Sequence, residues 1–217
     1  MAHKFHLITI PHSGTRFLNQ LFFRIGFRNT QVSTIHIVRK PENVTPENSV
    51  PIEYKMNHLR SEGKQLPDAI TQMRGFPMLT SLHNPHKVAL SWVRRLPREC
   101  ASNSLQELLG VYDTLIHCST QLNMVYFDIE CPIEKRMSHV TGVLKALGGD
   151  VYEHADKDEL QRYVDEWSIV GATHDETKDY YEKHGAPPPD LYNWQRFDRA
   201  INWYNKKLGE CKYDYIT

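Results

Sequence analysis

Short apolar runs of strand length alternate with longer stretches of helical spacing along this chain, and no other feature constrains its fold as much. The runs at 5–10 (FHLITI), 33–38 (STIHIV), 76–82 (FPMLTSL) and 123–129 (NMVYFDI) read as strands, and 52–59 (IEYKMNHL) as a shorter one. Between them, 14–27 carries Leu18, Leu21, Phe22 and Ile25 on one helical face. The same period places Leu105, Leu108, Leu109, Tyr112, Leu115 and Ile116 on one side of a helix over 104–122. Further helices are expected from Pro67 to 74, over 86–95, from Pro132 to 147, over 156–167 and over 194–208, with Gly148-Gly149 as a stop. Three prolines make 41–51 a surface loop. Strand followed by helix, repeated, implies an α/β fold: a mostly parallel sheet with helices on both faces. One domain is expected to span 1–217, with 151–217 as a helical C-terminal part that carries a lid or acceptor loop around Pro187-Pro188-Pro189.

Charge narrows the function. Lys and Arg number 26 and so do Asp and Glu, for a formal net charge of zero, which argues against a broad nucleic-acid footprint while allowing a local basic pocket. No apolar run approaches the ~18 residues of a membrane span, and no secretory leader is read, so a cytoplasmic protein is expected. Cys100, Cys118, Cys131 and Cys211 are scattered without a CxxC pair and read as reduced thiols. Twelve histidines include no HExxH spacing, and His83 and His86 around Asn84-Pro85 read as a polar turn rather than as metal ligands.

Two turns carry the chemistry. In open α/β sheets ligands lie beyond the carboxyl ends of the strands, and two expected strands end in polar turns that enter helices, one after Ile10 and one after Leu82. In the first (PHSGTRFL), a helix start offers free amides and a positive dipole to an anion. Gly14 lets the backbone approach, Ser13 and Thr15 add hydroxyls, and Arg16 adds a guanidinium fork. An ordinary capped helix with Arg16 in solvent is the plain alternative. A single glycine and no lysine make this a poor Walker A loop, which weakens a degenerate P-loop kinase reading.

PHSGTRFL resembles the 5′-phosphosulfate loop of the sulfotransferases, and LHNPHKVALSW at 82–92 is similar to their 3′-phosphate segment, with Asn84, Pro85, Ala89, Ser91 and Trp92 in register. The strand, proline and helix from 123 to 149 and the closing INWYNKKLGECKYD also look like the family's, so the resemblance covers most of the chain. It implies a P-loop sulfotransferase-like fold and transfer of a sulfuryl group from 3′-phosphoadenosine 5′-phosphosulfate (PAPS) to a hydroxyl or amine of a small-molecule or glycan acceptor, in line and without a metal. It assigns Ser13, Gly14, Thr15 and Arg16 to the phosphosulfate, His12 to the transfer cation, and His83 and Ser91 to the 3′-phosphate. YKMNHLR at 54–60 resembles the family's Lys-x-His-Leu segment, which makes His58 and Lys55 the candidate catalytic base and its companion, with His36 a weaker rival.

The departures from the pattern are His12 and His83, which stand where the family has Lys or Arg and Arg. A histidine serves an anion as a cation only when protonated, which its ordinary pKa of about 6.5 makes conditional at neutral pH. A non-catalytic sulfotransferase-like nucleotide binder is therefore the alternative function. In the C-terminal part, Tyr192, Trp194 and Phe197 read as pocket lining; Trp194, Phe197, Ile201 and Tyr204 read equally as a core stripe at helical spacing.

Overall fold

The computed structural model describes residues 5–10, 12–28, 31–37, 52–56, 59–60, 75–93, 101–167 and 197–211. The expected loop at 41–51, the helix from Pro67 to 74, the triple proline, His58, Tyr192, Trp194 and Cys100 lie outside these residues.

In chain order the elements are β1 (Phe5–Thr9), α1 (Thr15–Arg24), β2 (Val32–Ile37), β3 (Ile52–Met56), β4 (Leu59–Arg60), β5 (Met78–Leu82), α2 (Pro85–Val93) and α3 (Ala101–Gln121). There follow β6 (Met124–Asp128), a 3₁₀ turn (Ile133–Lys135), α4 (Arg136–Leu147), α5 (Gly149–His154), α6 (Lys157–Asp165) and α7 (Asp198–Gly209). The strands form one six-stranded sheet in the order β4-β3-β2-β1-β5-β6. β1 pairs parallel with β2 and with β5, and β5 pairs parallel with β6. β3 and β4 extend the β2 edge as antiparallel strands. The α/β class with a mostly parallel sheet is thus present, with an antiparallel edge.

That edge corrects the single strand expected over 52–59. Lys55 stands opposite Arg60 and Met56 opposite Leu59, so the chain reverses inside the expected strand. Within the run only Asn57 carried a turn signal.

Both faces of the sheet are covered because its parallel strands are apolar on both sides. Phe5 and Leu7 of β1, Leu79 of β5 and Phe127 of β6 pack with α1, α4 and α6, around Phe17, Leu18, Leu21, Phe22, Val143 and Leu144. Ile8, Met78, Leu82, Met124 and Tyr126 face the other way, against α2, α3 and α7. The stripes expected on α1 and α3 are buried, save Leu109, which is partly buried, and Phe197 and Tyr204 join the second cluster with Ile201 packed against it. Buried area of this kind contributes about 25 cal/mol per Å² of apolar surface, so the two clusters hold the helices to the sheet. Gly148 closes α4 at φ 149°, and the same residue caps α5, a one-turn-and-a-half helix that the Gly-Gly stop concealed. No helix among the described residues is long and apolar enough to cross a membrane.

Candidate functional site

The strand order creates a topological switch point. From β1 the chain passes through α1 to β2 on one side, whereas from β5 it passes through α2 and α3 to β6 on the other. β1 and β5 are neighbours, so their carboxyl ends flank this topological switch point, the place where open α/β sheets bind ligands. The two turns singled out in the sequence are the two that border this point.

The first turn is shaped by φ angles. His12 lies at φ 62° and Gly14 at φ 94°, with Ser13 between them on the negative side. Alternating φ sign turns successive N–H groups to one side, the backbone pattern of anion-binding nests. Gly14 is required twice over: its left-handed conformation favours glycine, and a Cβ there would sit 2.9 Å from Cδ1 of Ile129. The first helical bond of α1 runs from Leu18 N to Gly14 O at 3.0 Å, so the amides of Thr15, Arg16 and Phe17 precede it at the positive end of the dipole.

The hydroxyls of the turn serve the turn. Ser13 is 2% exposed; its Oγ donates to Ile10 O at 2.7 Å and lies 2.9 Å from Ser81 Oγ of β5. Thr15 Oγ1 donates to Thr9 Oγ1 at 2.8 Å. Both were read as ligand donors; in the structure their hydroxyls brace the loop. Arg16 is exposed.

The second turn closes onto the first. Asn84 caps α2, its Oδ1 accepting from His86 N at 2.9 Å ahead of Pro85 in the first helical position. Ser91, 4% exposed on the second turn of α2, places its Oγ 2.8 Å from Nδ1 of His12, whose ring meets Trp92 edge-on at 5.7 Å between centroids. His83 Nδ1 lies 3.3 Å from the His12 carbonyl oxygen. His12, Ser13, Gly14, Thr15, Arg16, His83 and Ser91 therefore gather at one crevice. Lys55 does not join them. Its strand β3 is separated from β1 by β2, and it follows the Ile35–Tyr54 pair in an antiparallel strand, toward the amino ends of the parallel strands. His36 lies in β2 opposite Thr9.

A third turn, absent from the sequence-based site, completes the crevice. Glu130 follows β6, and its carboxylate takes three partners from the second turn: Asn84 N at 3.1 Å, Lys87 Nζ at 2.8 Å and His83 Nε2 at 3.2 Å. Burial pulls the His83 imidazole below the ordinary histidine value, while Glu130 and the His12 carbonyl act in the opposite direction and Lys87 reinforces the fall. Burial is the larger effect. Tyr112 and Tyr204 line the same region, and burial first, with Glu130 adding to it, holds both phenols well above their usual range. Among the described residues no group of three or more His, Cys, Asp or Glu could hold a metal ion.

No family model, no curated protein and no solved structure matches this chain. The fold is that of an α/β domain in which the turns after β1 and β5 meet at a switch point of the sheet.

Proposed function

We propose that the crevice binds a nucleotide through two separate anionic groups and that the chain transfers a sulfuryl group from PAPS to a hydroxyl or amine acceptor. The observation that carries this reading is the meeting of the two turns across the β1–β5 switch point, with His12 Nδ1 2.8 Å from Ser91 Oγ. The turns that resemble the 5′-phosphosulfate and 3′-phosphate segments thus touch each other, which supports a ligand shared between them.

In this reading the start of α1, with Gly14, Thr15 and Arg16, holds the phosphosulfate, and preorganised amides stabilise charge on the sulfonate and the leaving phosphate. The acceptor oxygen or nitrogen attacks sulfur in line with the bridging oxygen. The new bond to sulfur forms as the bond from sulfur to the phosphate oxygen breaks, 3′-phosphoadenosine 5′-phosphate (PAP) leaves, and the acceptor proton passes to a base, for which His58 is the candidate. His12, protonated beside the bridging oxygen, offsets the charge that develops there. Ser91 and His83 serve the 3′-phosphate.

The second reading, a binder without turnover, draws on a specific observation: burial lowers the His83 pKa and Glu130 already engages the ring. Calorimetry of PAP at pH 6 and pH 8, with ATP and with AMP, which is PAP without its 3′-phosphate, as controls, tests the nucleotide site. PAP binding that weakens at pH 8 and is lost without the 3′-phosphate supports it. No PAP binding at either pH refutes it. PAPS turnover with a panel of hydroxyl and amine acceptors then separates transferase from binder.

A further inference from the structure

Glu130 is the acidic member of a cluster otherwise built to receive an anion. A backbone amide at the start of α2, an ammonium and an imidazole converge on its two oxygens, with Asn84 N at 3.1 Å and His83 Nε2 at 3.2 Å from Oε1 and Lys87 Nζ at 2.8 Å from Oε2. Amide, ammonium and imidazole at a helix start are the donors that a phosphate or sulfate group takes. Here the chain supplies the anion itself, at the same crevice where the first turn faces.

We propose that the Glu130 carboxylate holds the place of a ligand's second anionic group, so that a 3′-phosphorylated nucleotide seats fully only by displacing it. The inference rests on the nucleotide reading for the ligand, but the displacement is a property of the cluster. Three observations favour a side chain that leaves. Its side chain is 16% exposed, whereas that of His83 is 7% exposed and stays behind as part of the wall. The main chain of Glu130 is held independently of its carboxylate, by its own N–H donating to Asp128 Oδ1 at 2.9 Å, and Asp128 N in turn donates to buried His139 Nε2 at 2.8 Å. The side chain can therefore swing while the turn stays. Finally, one carboxylate brings a single negative charge to Lys87 and His83, and a phosphate dianion brings nearly two to the same donors.

Glu130 is then an affinity-setting residue: it keeps the second turn formed and lowers affinity for the anion that replaces it. The test uses inorganic sulfate as the first probe, followed through the ring resonances of His83 in the wild-type protein, E130Q and E130A. Removing the carboxylate should tighten sulfate binding at His83 by about tenfold or more, the effect of one like charge at contact distance in partly shielded surroundings. The gain should vanish in E130Q/K87M. In the wild-type protein, sulfate should also shift the Glu130 carboxylate resonance, a reading that needs no variant. Unchanged or weaker sulfate binding in the variants, or an unmoved Glu130 resonance at saturation, overturns the proposal. PAP and AMP form the second arm. PAP tightened by E130Q with AMP unaffected supports displacement by the 3′-phosphate. A sulfate gain without PAP binding keeps the displacement and refutes the nucleotide. PAP binding equal in wild type and E130Q, with no sulfate gain, keeps the nucleotide and refutes the role given to Glu130.

Discussion

His12 Nδ1 and Ser91 Oγ meet at 2.8 Å, joining the turn after β1 to the second turn of α2. The bond is part-buried, with Ser91 4% exposed, so it is shielded from competition by water. Ser91→Ala should cost about 1 kcal/mol of stability, the usual contribution of such a bond. His12→Asn should cost a similar amount, and the double variant should cost less than the sum, with a coupling of about 0.5–1 kcal/mol. Denaturant unfolding of the four proteins reads this cycle, and strict additivity would mean that the two side chains do not hold each other.

Gly14 offers a sharper test of the first turn. Alanine at φ 94° forces a left-handed conformation, and its Cβ would stand 2.9 Å from Cδ1 of Ile129. The conformational cost alone is about 1–2 kcal/mol, and the contact adds to it. Ile129→Val removes Cδ1. In the native background that change should destabilise by about 1 kcal/mol, the usual result of deleting a buried methyl. In the Gly14→Ala background it should cost less or stabilise, which thermal unfolding of the single and double variants will read.

The pH dependence of stability follows from His83. Burial lowers its pKa in the folded protein below the ordinary histidine value of 6.5, against the opposing pull of Glu130 and with the help of Lys87. The unfolded chain then binds the proton at higher pH than the folded one does, so stability rises with pH through this window. The contribution is fully present above about pH 6.5 and is lost progressively as the pH falls toward the folded value. His83→Gln should flatten the fall in melting temperature between pH 6.5 and pH 5. Glu130→Gln should steepen it, because the carboxylate is the group that raises the His83 pKa. A profile unaffected by either substitution would place the acid sensitivity elsewhere, with His86, whose pKa burial also lowers, as the next group to examine.

The parts of the fold that sequence revealed are those set by local pattern. The α1 stripe of Leu18, Leu21, Phe22 and Ile25 is buried, because one apolar face per helix has a single way to meet a sheet. Asn84-Pro85 read as the stop of a strand ahead of a helix from His86, and the helix is there, starting one residue earlier with Asn84 as its cap and Pro85 in the first position. What stayed hidden depends on contacts between distant segments. Glu130 is a lone acid after a strand, and nothing near it in sequence says that the β5–β6 register places Leu82 beside Asp128 and so brings His83, Asn84 and Lys87 to its carboxylate. Ser13 and Thr15 looked like ligand donors because their residue types fit. The strand pairing that puts Ser81 beside Ser13, and the turn that puts Thr9 beside Thr15, gave their hydroxyls other partners. The β3–β4 reversal was likewise hidden, because Asn57 alone is a weak turn signal inside a strand-like run.

The helix cap of α6 supplies a control remote from the crevice. Asp156 accepts from Asp158 N and Glu159 N at 3.0 Å each, and its own N–H donates to Ile25 O at 3.0 Å. Asp156→Ala should cost about 1 kcal/mol through the lost cap and leave anion binding untouched. Melting temperature and sulfate titration on the same sample check both halves.

Arg16 separates binding from stability most cleanly. It is an exposed residue in the first turn of α1, beside the amides that precede the first intrahelical bond. A side chain in water adds little to folding, so Arg16→Ala should leave the melting temperature nearly unchanged; arginine and alanine are both good helix formers. A phosphosulfate seated at the start of α1 would lose a charge-assisted fork, and PAP affinity should fall by about tenfold, the effect of roughly 1.4 kcal/mol. Arg16→Lys keeps the charge but loses the planar fork, and should recover part of the loss. Because the hydroxyls of Ser13 and Thr15 are bound within the loop, their removal should instead lower stability together with affinity. Calorimetry of PAP on the four variants, set beside their melting curves, distinguishes a ligand contact at Arg16 from braces at Ser13 and Thr15. If Arg16→Ala leaves PAP affinity unchanged, the guanidinium lies outside the cradle and the amides of the turn hold the anion alone.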